Sequence, residues 1–180
     1  MALLSAERIV GTAKQIVRTE GHERLSVRGL ARRLDVTAPA IDDHLDSKEA
    51  VLRAVAASGY DDLRDAYSTT ADTAIERMRE RALGYVAFAR ENPELFRLMF
   101  TFRPDAIAIE ADNELGAATE VFESGVDDVR QAIADGALVD RDPVHLSLTL
   151  WTAIHGVATV SLQILESLIS CMLLNAKRCL

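Results

Sequence analysis

Four histidines (His22, His44, His145, His155) and two cysteines (Cys171, Cys179) are the residues of this 180-residue chain best suited to metal binding or covalent chemistry. Their spacing supports neither. There is no HExxH pair, no Ser or Cys in a nucleophile elbow, and the cysteines lack the spacing of metal ligands. Reduced thiols account for them. Asp140, Asp142 and His145 could approach a cation, but a charged loop capping a helix is the simpler reading. The sequence therefore implies no enzyme, no metal and no cofactor. Two other groupings carry recognition chemistry. One is the charged run in LARRLDVTAPAIDDHLDSKEAVL (30–52); the other is Trp151 with His155, four residues apart on an apolar stretch.

Helices must position both groups. Gly and Pro are few, 9 and 4, while 49% of residues are hydrophobic and 27% charged, the balance of a helix-rich globular protein. Helical periodicity dominates, and no alternating strand run appears. A first helix is expected over about 5–20, ended by Gly21. Ser26 can cap a second, Thr37 a third with Pro39 in its first turn, and Asp46 with Glu49 resembles a capping box for a fourth over about 47–66. Beyond the polar break STTAD (68–72), helices are expected near 72–91, 93–101, 112–135 and 143–173, separated by ENPE, RPD and ADGALVDRDP. Ala31 suits a close helix crossing, Asp35-Val36 a tight turn, and Val36, Ile41 and Leu45 can glue the third helix to the others. That is the layout of a helix-turn-helix.

Charge is uneven along the chain. The net charge is -8, yet residues 1–60 hold nine Lys/Arg against eight Asp/Glu, so the acidity lies in the remainder. Such a balance argues against a broadly basic nucleic-acid binder and leaves the first third as the place for one. The start, MALLSAER, has too short an apolar run for a signal peptide. LSLTLWTAIHGVATVSLQIL (146–165) lacks full charges, but its scattered Ser, Thr, His and Gln make it a helix buried on most sides by protein rather than a membrane span. A cytoplasmic protein with no membrane contact is expected.

Residues 8–55 resemble the head of the TetR family of bacterial transcriptional repressors. The likeness lies in Gly21, LSVRGLARRLDVTAPAI, His44, Ser47-Lys48-Glu49 and Leu52, in order and without a gap. NPELFRLMF (92–100) and LWTAIHGVA (150–158) resemble the ligand-binding body of members whose last bundle helix carries Trp-x-x-x-His-Gly. The resemblance implies an all-α fold: an N-terminal helix-turn-helix three-helix head (1–66), then an α-helical bundle ligand-binding and dimerisation domain (67–180). It implies DNA contacts from Arg28, Thr37, Ala38, Ala40, Asp42, Asp43, His44 and Lys48. Three positions depart from the family. Asp35 stands where Gly is usual, Asp42 replaces a phosphate-binding aromatic, and Leu45 replaces a second aromatic. Asp43 adds another carboxylate. Each carboxylate near a phosphate costs about 1 kcal/mol in water-like surroundings, and a lost hydroxyl–phosphate bond roughly 0.5–1.5 kcal/mol. Doubled in a dimer, these sum to about 5–7 kcal/mol, comparable to the margin between specific and non-specific binding. Asp42 or Asp43 could instead accept from cytosine N4, or pair with Arg28, Arg32 or Arg33.

The body collects most of the aromatics. Tyr85, Phe88, Phe96, Met99, Phe100, Phe122, Trp151 and His155 are the expected lining of a pocket for a small apolar effector, against the alternative of an ordinary bundle core. Phe102 is part of the same aromatic group. Gly156 and Ala153 make a shallow strip, and helices 112–135 (Ala117, Ala118, Val121, Gly125, Val129) and 143–173 offer faces for a four-helix homodimer seam. The function expected is a ligand-responsive repressor that binds palindromic operator DNA as a dimer. The alternative is a helical dimer impaired in DNA binding that keeps its small-molecule or partner-binding body. The apolar tail LISCMLLNAKRCL (168–180) either extends the last helix or covers the pocket.

Overall fold

The computed structural model describes residues 4–101 and 116–176, with side chains up to residue 164. Its described residues form helices and one short 3-10 turn, with no strand: α1 (Ala6–Glu20), the 3-10 turn His22–Arg24, α2 (Val27–Leu34), α3 (Ala38–Asp42), α4 (Lys48–Ala66), α5 (Ala74–Glu91), α6 (Pro93–Thr101), α7 (Gly116–Ala134) and α8 (Pro143–Ala176). The all-α expectation holds. The last helix continues through Ala176, so the tail extends it that far; Phe102, the RPD turn and Cys179 lie outside the described residues.

Local chemistry explains most boundaries. Ser5 and Ser26 cap α1 and α2, accepting from the amides of Arg8 and Gly29. Thr73 caps α5 by accepting from the Glu76 amide, and its hydroxyl donates to the Glu76 carboxylate. Asp142 caps α8 by accepting from the His145 amide at 2.8 Å. Two caps differ from expectation. The hydroxyl of Thr37 makes no capping bond, although its backbone is extended as a cap requires. At α4 the cap is Ser47, which accepts from the Ala50 amide at 3.0 Å. Ser47 directly precedes the helix, so Asp46 falls one residue too early.

The chain packs as two units. The first holds residues 1–65 with 92–120, and the second holds 66–91 with 121–180. These groupings are discontinuous, unlike the contiguous 1–66 and 67–180. The reason is α6, which packs on α1 and the 3-10 turn. Leu95, Phe96, Leu98 and Met99 of α6 are all buried. Gly59 of α4 admits α6, since a Cβ there would stand 2.8 Å or less from two Met99 side-chain atoms. Tyr60 closes the contact by donating its hydroxyl to the Met99 carbonyl.

In the second unit α5 packs on α8 through buried Ser147, Ala158 and Leu162 of the latter. Gly84 lets the Ala66 carbonyl approach α5 so closely that a Cβ would lie 2.3 Å from it. Helix α7 is tied to α5 by charge. Asp128, 4% exposed, receives Arg77 Nε at 2.6 Å and Arg81 Nε at 2.7 Å. The same guanidinium groups donate to the Tyr67 and Asp72 carbonyls, at 2.9 and 3.1 Å, fixing the segment before α5. Helix α8 departs from expectation in being buried along one side only. Val157, Val160 and Ile164 are 56, 51 and 56% exposed, because α5 covers just the opposite edge.

Asp128→Ala leaves two arginines in a part-buried site without their carboxylate. The expected loss of stability is about 3–5 kcal/mol, read from urea unfolding. A loss below about 1 kcal/mol would mean that solvent already screens the cluster.

Candidate nucleic-acid interface

Helix α3 spans five residues, too short to persist alone. Its neighbours hold it. Ala31, 4% exposed, lets α2 and α3 cross closely, and Ile41 at 0% is the main anchor, with half-buried Val36 and Leu45 beside it. The turn between them depends on Asp35, which takes the left-handed conformation at φ 56, ψ 48. An L-residue there costs roughly 1–2 kcal/mol, least for Asp and Asn. The Val36 amide donates to the Ala31 carbonyl at 3.0 Å, closing the end of α2.

With Ile41 inward, the other side of α3 faces outward. Thr37, Pro39, Asp42, Asp43 and His44 are exposed, and Ala38 and Ala40 are half-buried. Arg28 on α2 and Lys48 at the start of α4 are exposed as well, and Lys48 Nζ lies 3.5 Å from the Glu23 carbonyl. All eight residues expected to touch DNA thus belong to one short helix and the helix ends around it. The pairing of the acids with nearby arginines does not occur. Arg33 pairs with Glu20 at 2.5 Å, and neither Asp42 nor Asp43 takes part in an ion pair among the described residues. The carboxylates face solvent uncompensated.

The expected ligand residues fall into both units. Phe96, Met99 and Phe100 belong to the first. There Phe96 and Phe100 rings lie 4.8 Å apart, and Tyr60 meets Phe100 edge-on at 6.2 Å. Tyr85, Phe88, Phe122, Trp151 and His155 belong to the second. Three of these come together. The Tyr85 hydroxyl shares a 2.8 Å hydrogen bond with His155 Nδ1, and Trp151 stacks on the imidazole at 5.3 Å with 25° between the planes. Tyr85 and Phe88 are buried, at 2 and 4% exposure, while Phe122, Trp151 and His155 are half-buried. Tyr85 was legible only as an aromatic, since its bond to His155 joins helices α5 and α8. Two open depressions on the exposed side of α8, around His145 and Thr149, include none of these aromatics. His145, Asp142 and their neighbours form no metal-ligating group among the described residues, and no described helix is long and apolar enough to cross a membrane.

Comparison with known proteins agrees with this geometry. Residues 78–164 match the family described as tetracyclin repressor-like, C-terminal domain. The uncharacterized HTH-type transcriptional regulator YobS of Bacillus subtilis (strain 168) is 24% identical over 159 residues, covering 85% of this chain and 76% of YobS. The transcriptional regulator SCO7222, a TetR from Streptomyces coelicolor, superposes with a TM-score of 0.69 at 27% identity, covering 89% of this chain and 73% of that one. The chain resembles TetR-family transcriptional regulators in both its helix-turn-helix head and its body. A protein of unknown function from Rhodococcus sp. RHA1 is similar too, with a TM-score of 0.75 at 27% identity over 88% of this chain and 84% of that one. Regulators of the TetR family are helix-turn-helix, DNA-binding proteins rather than enzymes.

Replacing Tyr85 by Phe deletes the hydroxyl that meets His155. It should cost about 1 kcal/mol in chemical denaturation and shift the emission of Trp151, the chain's single tryptophan. Unchanged emission would mean that the imidazole keeps its place against the indole without Tyr85.

Proposed function

We propose that this chain is a TetR-family regulator: a cytoplasmic, ligand-responsive repressor that binds palindromic operator DNA as a homodimer and releases it when a small apolar effector occupies the body. The observation that carries the reading is the head. A buried Ile41 leaves Thr37, Asp42, Asp43 and His44 exposed and Ala38 and Ala40 half-buried, with exposed Arg28 and Lys48 on the preceding and following helices. For the effector, the support is the Tyr85–His155–Trp151 group, which offers a polar handle among aromatic surfaces. Trp151 reports on occupancy there.

For the dimer, the support is α8. Ala153, Gly156, Val157, Val160 and Ile164 share one exposed stripe, and a side chain at Gly156 would meet nothing within 4 Å. Helix α7 contributes less than its sequence implied. Val121 and Val129 are buried within the protomer, and a Cβ on Gly125 would stand 3.2 Å from the Tyr67 hydroxyl. The seam therefore rests on α8. In such a dimer the two recognition helices would sit about one DNA turn, ~34 Å, apart.

A second reading, a dimer impaired in DNA binding that keeps its ligand body, is favoured by the uncompensated carboxylates of Asp42 and Asp43. Titration of duplex DNA at ~50 and ~200 mM salt separates the two, since phosphate contacts set the salt slope. Asp42→Tyr with Asp43→Asn should raise affinity for generic duplex by several kcal/mol over the dimer and leave folding nearly unchanged. Equal affinities at both salts would place the docking face elsewhere. No binding by either protein would favour the second reading.

Gly156→Leu should fill the strip that lets two helices approach and convert dimers to monomers, as read by light scattering. A wild type that is monomeric at micromolar concentration would remove the dimer from the proposal.

A further inference from the structure

We propose that Asp43 reads cytosine in the major groove, as a specificity-determining residue of the recognition helix; the inference rests on the DNA-binding reading above. The rotation of α3 is fixed by Ile41, which is 0% exposed. Each helical residue advances about 100°, so Asp43 projects about 200° from Ile41, straight away from the scaffold and on the side of exposed Pro39. The backbone at Asp43 is still right-handed, φ -63 and ψ -20, so the helical projection holds for it. Asp42 and Ala40 lie on the two flanks. No ion pair among the described residues engages the Asp43 carboxylate.

A carboxylate offers acceptors and no donor. The donors on the major-groove edge are the amino groups of cytosine N4 and adenine N6. At adenine the N7 acceptor stands beside N6 and opposes the second carboxylate oxygen. Cytosine places no acceptor of its own beside N4. Guanine and thymine present only acceptors there, leaving a desolvated carboxylate unsatisfied. Cytosine is the base this side chain selects. Asp42, on the flank toward the backbone, repels phosphate in every sequence alike and discriminates little. The two adjacent acids therefore do different things: one lowers affinity generally, the other converts the remaining affinity into base choice.

Selection from a random duplex pool tests this, with wild type, Asp43→Asn and, as control, Asp42→Asn. Circular dichroism checks that all three share one helical content. Wild-type sites should carry cytosine at a symmetric pair of positions. Asp43→Asn should replace it by adenine, because an amide pairs with adenine N6 and N7, and titration should show the cytosine-over-adenine preference shifting by roughly tenfold or more. Asp42→Asn should keep cytosine and raise affinity for all duplexes. The same base at every position in wild type and Asp43→Asn, or a switch that follows Asp42→Asn instead, would overturn the assignment while leaving operator binding intact. A wild type that enriches no duplex would instead sink operator binding, and the inference with it.

Discussion

One buried side chain decides what the head can do. Ile41 has no solvent exposure, and α3 is too short to choose its own orientation. Because that side chain must be inside, Pro39 and Asp43 must be outside, and the polar residues between follow by helix geometry. The left-handed turn at Asp35 and the small Ala31 are the conditions under which Ile41 can reach its place. A larger residue at the crossing would lift α3 and rotate the whole outward set.

The electrostatics follow from this orientation. The head is close to neutral while the rest of the chain is strongly acidic, so long-range attraction to DNA is weak. Arg28, Arg32 and Lys48 are exposed in the same head, and none of them forms an ion pair with the carboxylates of α3 among the described residues. A protein built this way gains little from non-specific phosphate contact and must rely on the fit of individual side chains. Inside the body the same charges serve another purpose. Asp128 is nearly enclosed between part-buried Arg77 and Arg81, and there the lower dielectric makes each contact stronger and each missing partner more costly.

The local features were legible in the sequence. Helix periods, the cap at Ser26, the charged loop that caps α8 and the tight turn at Asp35-Val36 follow from residue type within a few positions, because the interactions that make them are local. Asp46 and Ser47 show the limit of that logic: two adjacent candidates can both cap, and the one directly before the first turn does so. Non-local pairings were not legible. Nothing in NPELFRLMF says that it will pack beside α1, and nothing in the isolated residues Arg77, Arg81 and Asp128 says that they meet. Six of the eight candidate DNA residues fall on or beside α3 because they lie together in the sequence, whereas Arg28 and Lys48 belong to α2 and α4. The eight candidate ligand residues divide between two packing units, since an aromatic signals burial without naming its neighbours.

The exposed stripe of α8 has a consequence for how the protein responds to its own abundance. A chain that leaves Val157, Val160 and Ile164 in water carries a standing cost of apolar hydration, which a second copy would remove in the proposed dimer. If the DNA-competent species is the pair, its population at low occupancy grows with the square of protomer concentration. Doubling synthesis then quadruples the active form, and dilution at cell division depletes it faster than the chain itself. Control would be steep without any cooperativity between binding sites, because the nonlinearity lies in assembly.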